Sequence, residues 1–277
     1  MAVIVVTDSS SRLHPDDLAR WGIRQIPLHV LLDGVDYRDG VDDMPVDVHD
    51  RHATTSGATP TELADAYRDA LRASGGDGVV AVHLSAALSS TYSSAVQAAR
   101  EFGPAVRVIN SRSAAMGVGF VTLAAAQAAA QGADVNAVEA AARSAVPRGH
   151  AFIVVHRLGN LRRSGRVGRG ASWLGTALSL KPLLCLDVDG RLVLDQRIRT
   201  ATKAHAAMID RVVEVVGEGH ATLAVHHVEN RDAADEVAKL LTERLPHVDP
   251  PTVSDMGAVL AVHVGAGAVG VAVSLSD

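Results

Sequence analysis

The sequence predicts an α/β fold in two units, with a mostly parallel sheet flanked by helices over residues 1–150 and a second α/β unit over 151–277. Three observations carry this expectation. Short Val/Ile-rich runs alternate with capped, helix-like segments, the pattern of buried parallel strands joined by helical crossovers. The character changes near residue 156, where basic residues gather: 157–203 holds ten Lys/Arg against three Asp, a local +7 in a chain of net charge −5. Beyond that point a hairpin signal and a further strand–helix alternation open a new unit.

In the first unit, Val3–Val6 reads as a buried strand ending in the polar turn Thr7-Asp8-Ser9-Ser10. His14-Pro15-Asp16-Asp17-Leu18 opens a short helix, and Ile26–Asp33 followed by Asp33-Gly34 marks a hairpin. After a polar connection over 47–58, Thr59-Pro60-Thr61-Glu62 is a capping box with proline at the first helical position, so a helix runs from residue 60 to about Ala73. Strands follow at Val79–Leu84 and Val106–Ile109, each leading through a hydroxyl-rich turn into a helix: Ser85–Thr91 into about 91–102, and Asn110–Ser113 into the Ala-rich stretch 114–131. Asp134 caps one more helix, ended by Pro147, and Ala151–Val155 is a strand. The turns at Thr7–Ser10, Ser85–Thr91 and Asn110–Ser113 follow strand ends and are expected to converge on one rim, where ligands of open α/β sheets sit.

In the second unit, Leu183–Asp187 and Leu192–Ile198 flank Asp189-Gly190 as a hairpin. A helix from Thr200, a strand at Leu223–His227, a helix at Asp232–Leu245 and two closing apolar runs, Ala258–Val264 and Val269–Val273, complete it. Both runs read as strands, the first interrupted by His263.

Composition limits the functions open to such a fold. At 48% hydrophobic and 21% charged the chain has a real core. The net charge of −5 lacks the basic footprint of a general nucleic-acid binder. The single cysteine, Cys185, leaves neither a disulfide framework nor a cysteine metal cluster. Only eight aromatic residues leave few stacking platforms, so the core is built from Ala, Val and Leu. The start, MAVIVVTDSS, lacks a signal-peptide pattern, and 114–131 is too rich in Ala, Gly and Gln for a membrane span; a cytoplasmic protein with no integral membrane segment is expected.

Four constellations can carry chemistry. Thr55-Ser56 and Ser89-Ser90-Thr91 place small hydroxyl donors beside helix N-termini, which favour anions, although Ser and Thr there most often only cap. His263, in Ala261-Val262-His263-Val264-Gly265-Ala266-Gly267, can donate to a carboxylate or act as a base, or it can be a core histidine bonded to a backbone carbonyl. Arg157, Arg162, Arg163, Arg166 and Arg169 suit recognition of phosphate or an acidic partner, or form a solvated face. Ser89, His263 and Asp8 form a candidate hydrolytic triad, without the Gly-x-Ser-x-Gly elbow. A phosphate loop and a His-Glu-x-x-His zinc motif are both missing.

Taken in order, these segments resemble the DegV family of bacterial lipid-binding proteins. The matching residues are Thr7-Asp8-Ser9-Ser10, Thr55-Ser56…Thr59-Pro60, Leu88-Ser89-Ser90-Thr91-Tyr92, Ser111…Gly117-Val118-Gly119, Leu158…Leu161-Arg162-Arg163-Ser164-Gly165-Arg166-Val167, Leu180-Lys181-Pro182-Leu183-Leu184…Asp189-Gly190…Arg199, and His263-Val264-Gly265-Ala266-Gly267-Ala268. Each is weak alone; seven in order across nearly the whole chain are specific.

The resemblance implies a two-domain DegV-like fold, with a mixed sheet in the C-terminal domain and a long-chain fatty acid held between the domains. It implies a binding protein with no catalytic residue, metal ion or cofactor, the fatty acid being its ligand. Some members of the family act as the binding subunit of a fatty acid kinase and present the carboxylate to a separate kinase subunit that forms the acyl phosphate. The resemblance assigns the carboxylate to Thr55, Ser89 and His263, with Ser56, Ser90 and Thr91 as accessory residues and Arg166 as the partner or phosphate contact. The sequence departs from the family pattern at Ser90, where Gly is usual, and at Gly57, where Gln is usual. A serine hydrolase of lipids or thioesters, and a phosphosugar- or nucleotide-binding protein, are the alternatives.

Overall fold

The structure, a computed structural model, describes residues 2–167 and 180–276. Three sheets organise it. The first is wholly parallel, in the order β2-β1-β6-β7, from β1 (Ile4–Asp8), β2 (Arg24–Ile26), β6 (Val79–His83) and β7 (Val106–Asn110). Alternation along these strands feeds two cores. Val6, Val79 and Ala81 pack with Leu63 and Tyr67 of α2 (Pro60–Ala73) and Ala95 and Ala98 of α3 (Thr91–Ala99). Val5, Val80 and Val82 pack with α4 (Met116–Ala130) and α5 (Val135–Ala145). Both faces are therefore covered, which is why these strands read as continuous apolar runs.

Local signals act as expected around the parallel sheet. The Thr59 hydroxyl accepts from the Glu62 N–H while the Glu62 carboxylate accepts from the Thr59 N–H at 2.8 Å, closing the capping box of α2. Asp134 caps α5 by accepting from the Ala137 N–H. Asp33 and Gly34, both at positive φ, turn β3 (His29–Leu32) into β4 (Val35–Arg38). A third strand not foreseen from the sequence, β5 (Thr54–Ser56), pairs with β3 to make a small antiparallel sheet, β4-β3-β5. The helix expected over about 91–102 ends earlier, at Ala99, and passes into a 3₁₀ segment over Arg100–Ala105 that contains Gly103 and Pro104. A short helix, α1 (Pro15–Trp21), separates β1 from β2.

The third sheet is mixed, in the order β10-β9-β8-β13-β11-β12. It comprises β8 (Gly149–Val154), β9 (Leu183–Leu186), β10 (Leu192–Gln196), β11 (Ala221–His227), β12 (Thr252–Asp255) and β13 (Val269–Leu275). All its pairs are antiparallel except β11–β12. One face packs on α7 (Ala201–Val216) and α8 (Arg231–Arg244) through residues such as Phe152, Val225, Met208 and Leu241. The opposite face carries Ala224 and Ala272, which join the core built around α4, so that helix is shared between the parallel and mixed sheets.

Two further helices lie beside this face, α6 (Leu158–Ser164) and α9 (Ala258–Val264). The second corrects the sequence reading, which made 258–264 a strand. The run is apolar almost throughout and contacts protein on several sides, so it shows no period to separate helix from strand. Its ends decide: Gly257 (φ 80°) and Gly265 (φ 78°) break the extended path on either side. A Cβ on Gly257 would collide with the guanidinium of Arg12, which donates to the Asp255 carbonyl.

Candidate functional site

The three polar turns after β1, β6 and β7 do meet. Asp8, fully buried, accepts from the N–H groups of Ser10 and Leu84 and from Nδ1–H of His83 at 3.0 Å. The Tyr67 hydroxyl donates to His83 Nε2 at 2.7 Å, closing a buried chain Tyr67–His83–Asp8. The Ser85 N–H donates to the Ser113 carbonyl, and Asn110 accepts from the Ala86 and Arg112 N–H groups. Burial without solvent makes such a satisfied network rigid, because breaking any bond strands a polar group. The turn that carries Ser89 is thus fastened at its root.

This rim is docked onto the turn between β9 and β10 of the mixed sheet. The Ser85 hydroxyl donates to the Gly190 carbonyl at 2.8 Å, and Arg112 donates to the Val188 carbonyl at 3.2 Å. Gly190 (φ 76°) has no room for a Cβ against Ser85 and the Arg112 backbone, so the Asp189-Gly190 turn serves both the hairpin and the dock.

Between the rim, α9 and the mixed sheet lies a cavity of about 290 Å³. Its floor follows from strand register. Ile153, Gly270 and His226 align across β8, β13 and β11, and Ala151 aligns with Ala272 one step along. All five line the cavity, and the small side chains leave the space open. Leu28, Leu84, Leu88, Leu186, Leu192, Met256 and Val259 supply apolar walls.

The polar lining is gathered from four segments. Thr55 comes from β5, set by its pairing with Val30; Ser89 precedes α3; Arg166 follows α6; His263 sits in the last turn of α9. Thr55 Oγ1 and His263 Nε2 are hydrogen-bonded at 2.7 Å across 208 residues of sequence. Ser89 Oγ accepts from the Thr91 N–H at 3.2 Å and shares a hydrogen with Thr91 Oγ1 at 2.9 Å, so it caps the start of α3 and lines the cavity at once. Arg166 donates to the carbonyls of Leu88, next to Ser89, and of Ser164.

The accessory residues divide. Ser56 and Ser90 line the cavity and are exposed. Thr91 is fully buried and does not line it. Gly57 lies so close to Thr91 that a Cβ would overlap its hydroxyl. The glycine at 57 thus lets β5 close onto α3.

Burial, and after it the charge of Arg166, pushes the His263 imidazole down to about 4, so it is neutral at neutral pH. Its Nδ1 has no hydrogen-bond partner among the described residues. Neutral hydroxyls and imidazole beside one guanidinium suit a carboxylate: none repels it, Ser89 and Arg166 can donate, and the bonded Thr55–His263 pair keeps one hydrogen to offer. The hydrolytic triad is not assembled, because Asp8 is held by His83 and His263 by Thr55. The arginine segment is dispersed as well: Arg157 pairs with Asp50, Arg163 donates to Asn160, and Arg169 lies outside the described residues.

The sequence reading missed His226 and Asn160. His226 is buried on the cavity floor, where Nε2 accepts from the Met116 N–H at 3.2 Å and Nδ1–H donates to Ser254 Oγ at 3.0 Å. Burial, Arg12 and His227 push it down to about 3. Its signal was present as a histidine within an apolar strand. No helix among the described residues is long and apolar enough to cross a membrane.

A parallel sheet and a mixed sheet with an apolar cavity between them, and hydroxyls, an imidazole and a guanidinium on its wall, define an α/β class with an internal, mostly apolar site. Residues 2–275 match the family described as "Uncharacterised protein, DegV family", and the chain belongs to the DegV family. A DegV domain-containing protein of Mycobacterium tuberculosis is 62% identical over 275 residues, covering 99% of this chain and 98% of its own. The structure of a DegV family protein from Thermus thermophilus, described by its fatty acid binding, is similar at a TM-score of 0.92 and 32% identity, with both chains fully covered. DegV from Bacillus subtilis, described as a fatty acid binding protein, is similar at 0.89 and 27%, again over both whole chains.

Proposed function

We propose that this protein binds one long-chain fatty acid between two domains, residues 1–150 and 151–277. The carboxylate lies on Thr55, Ser89 and His263, with Ser56 and Ser90 beside it and Arg166 at the mouth. The observation that carries this reading is the joining of the Thr55–His263 pair, Ser89 and Arg166 to one apolar cavity floored by Ala151, Gly270 and Ala272. The fatty acid binding of the Thermus and Bacillus relatives supports it. Each buried methylene contributes about 0.8 kcal/mol, so the tail supplies most of the affinity and the head group sets orientation.

The same reading makes the protein a non-catalytic subunit. It presents the carboxylate near Arg166 to a separate kinase, which forms the acyl phosphate. Native mass spectrometry of protein purified from bacteria, followed by organic extraction, tests the first part; near one-to-one fatty acid is expected. Folded, delipidated protein that takes up no fatty acid would overturn it. Adding ATP and a kinase subunit tests the second part: acyl phosphate is expected, and tight lipid binding with no turnover by any supplied kinase removes the kinase role alone.

A further inference from the structure

Asn160 is buried in α6, and each face of its amide is occupied. Nδ2 donates to the His49 carbonyl at 2.8 Å and to the Val262 carbonyl at 3.1 Å, while Oδ1 accepts from Arg163 at 2.9 Å. The orientation of the amide is set by these partners, since exchanging O and N would point an oxygen at two carbonyls.

The three partners belong to the segments that build the polar wall. Val262 precedes His263, and its carbonyl lies in the last turn of α9, where no intrahelical donor remains. The Gly265 N–H closes on the Ala261 carbonyl, so Asn160 serves the next orphan along. His49 belongs to the turn Val48–Asp50 that leads into the strand of Thr55. It is itself buried, with Nε2 3.2 Å from the Glu229 carboxylate of the second unit. Arg163 sits three residues before Arg166. The approach is tight at Gly265 (φ 78°), where an added Cβ would stand 3.1–3.3 Å from the Asn160 amide atoms.

We propose that Asn160 is the positioning residue of the head-group wall, locking the end of α9, the 48–50 turn and α6 together so that His263 meets Thr55. Asn160 does not line the cavity, so it acts through His263 and Thr55 rather than on the ligand. Its lipid readout rests on the fatty-acid reading above; its effect on His263 does not.

The test uses the whole chain and two variants. Asn160→Asp keeps size and the acceptor for Arg163 but turns an oxygen toward both carbonyls. Arg163→Met releases Oδ1 alone. In ligand-free protein, the His263 imidazole NMR signals and their titration are expected to shift clearly in Asn160→Asp and slightly in Arg163→Met. Dissociation constants are then measured for oleate and for oleyl alcohol. Asn160→Asp should weaken oleate about tenfold and the alcohol less than twofold, because only oleate needs the aligned donors.

Unmoved His263 signals in folded Asn160→Asp, or an equal loss for both lipids, overturn the proposal. If Asn160→Asp does not fold, Arg163→Met decides it by the same two readouts. Wild-type protein that binds neither lipid overturns the fatty-acid reading instead, and the His263 signals still decide the role of Asn160.

Discussion

The floor and the polar wall of the cavity are built on different principles. The floor comes from strand register alone: Ala151, Ile153, Gly270, Ala272 and His226 face one way because alternate residues of paired strands must. The wall is assembled from a short strand, a turn and the ends of two helices, joined by side-chain bonds such as Thr55–His263. A floor tolerates small backbone shifts, because apolar contact has no direction. A wall of hydrogen-bond donors does not, because such bonds weaken steeply with angle and distance. Shape should therefore govern affinity for the tail, and alignment should govern discrimination by the head.

The largest effect is expected at the floor. In Gly270→Leu the side chain enters the cavity and displaces several methylenes, each contributing about 0.8 kcal/mol, so fatty-acid affinity should fall more than about 100-fold. The shape argument fails if calorimetry finds this variant binding palmitate as tightly as the wild type.

A second, smaller effect concerns stability and also lies on the floor. The folded protein keeps His226 neutral down to about pH 3, whereas the unfolded chain takes up a proton below about 6.5. The unfolded state thus binds more protons across this interval, and stability present above pH 6.5 is lost as pH falls toward 3, on the order of a few kcal/mol. Melting temperatures at pH 7 and pH 4 should differ less in His226→Gln than in the wild type; equal differences would show that His226 does not contribute.

At the wall, Ser89→Ala and His263→Ala should each weaken fatty-acid binding by about 1–3 kcal/mol, the range for losing a bond to a charged group. Thr55→Ala combined with His263→Ala should cost less than the sum of the singles, since the two are bonded to each other. A double-mutant cycle with additive losses would separate them.

The smallest expected effect is electrostatic. Removing the Arg166 charge takes away one of the two causes that lower His263, so Arg166→Ala should raise the His263 titration midpoint while burial still holds it below 6.5. NMR titration of the ring reads this directly, and a midpoint unchanged or lowered contradicts it.

The contrast also accounts for what was legible in the sequence. Runs such as Val79–Leu84 and Val106–Ile109 announced the parallel strands, Thr59–Glu62 and Asp134 announced the starts of α2 and α5, and Asp33-Gly34 announced the β3–β4 turn, because these signals act within a few residues. Strands of three or four residues, Arg24–Ile26, Thr54–Ser56 and Thr252–Asp255, carry too few side chains to show a period. Segment 258–264 was misread because its apolar residues suit either structure, and the flanking glycines decided for a helix. Thr55, Ser89 and His263 stood out by residue type and position and took their carboxylate role from the resemblance, whereas Asn160 looked like one more polar residue in a glycine-bearing arginine segment.

By itself, the sequence determined the alternation of elements, their caps and turns, and the chemical types available for a site, since each depends on covalent geometry and near neighbours. Only the tertiary structure decided that Thr55 bonds to His263 while Asp8 belongs to His83, and that Gly57 makes room for Thr91. It alone decided that Gly270 opens a floor between two sheets. These outcomes depend on strand register and helix docking between residues up to 208 positions apart, where a shift of one residue would turn every strand side chain to the opposite face.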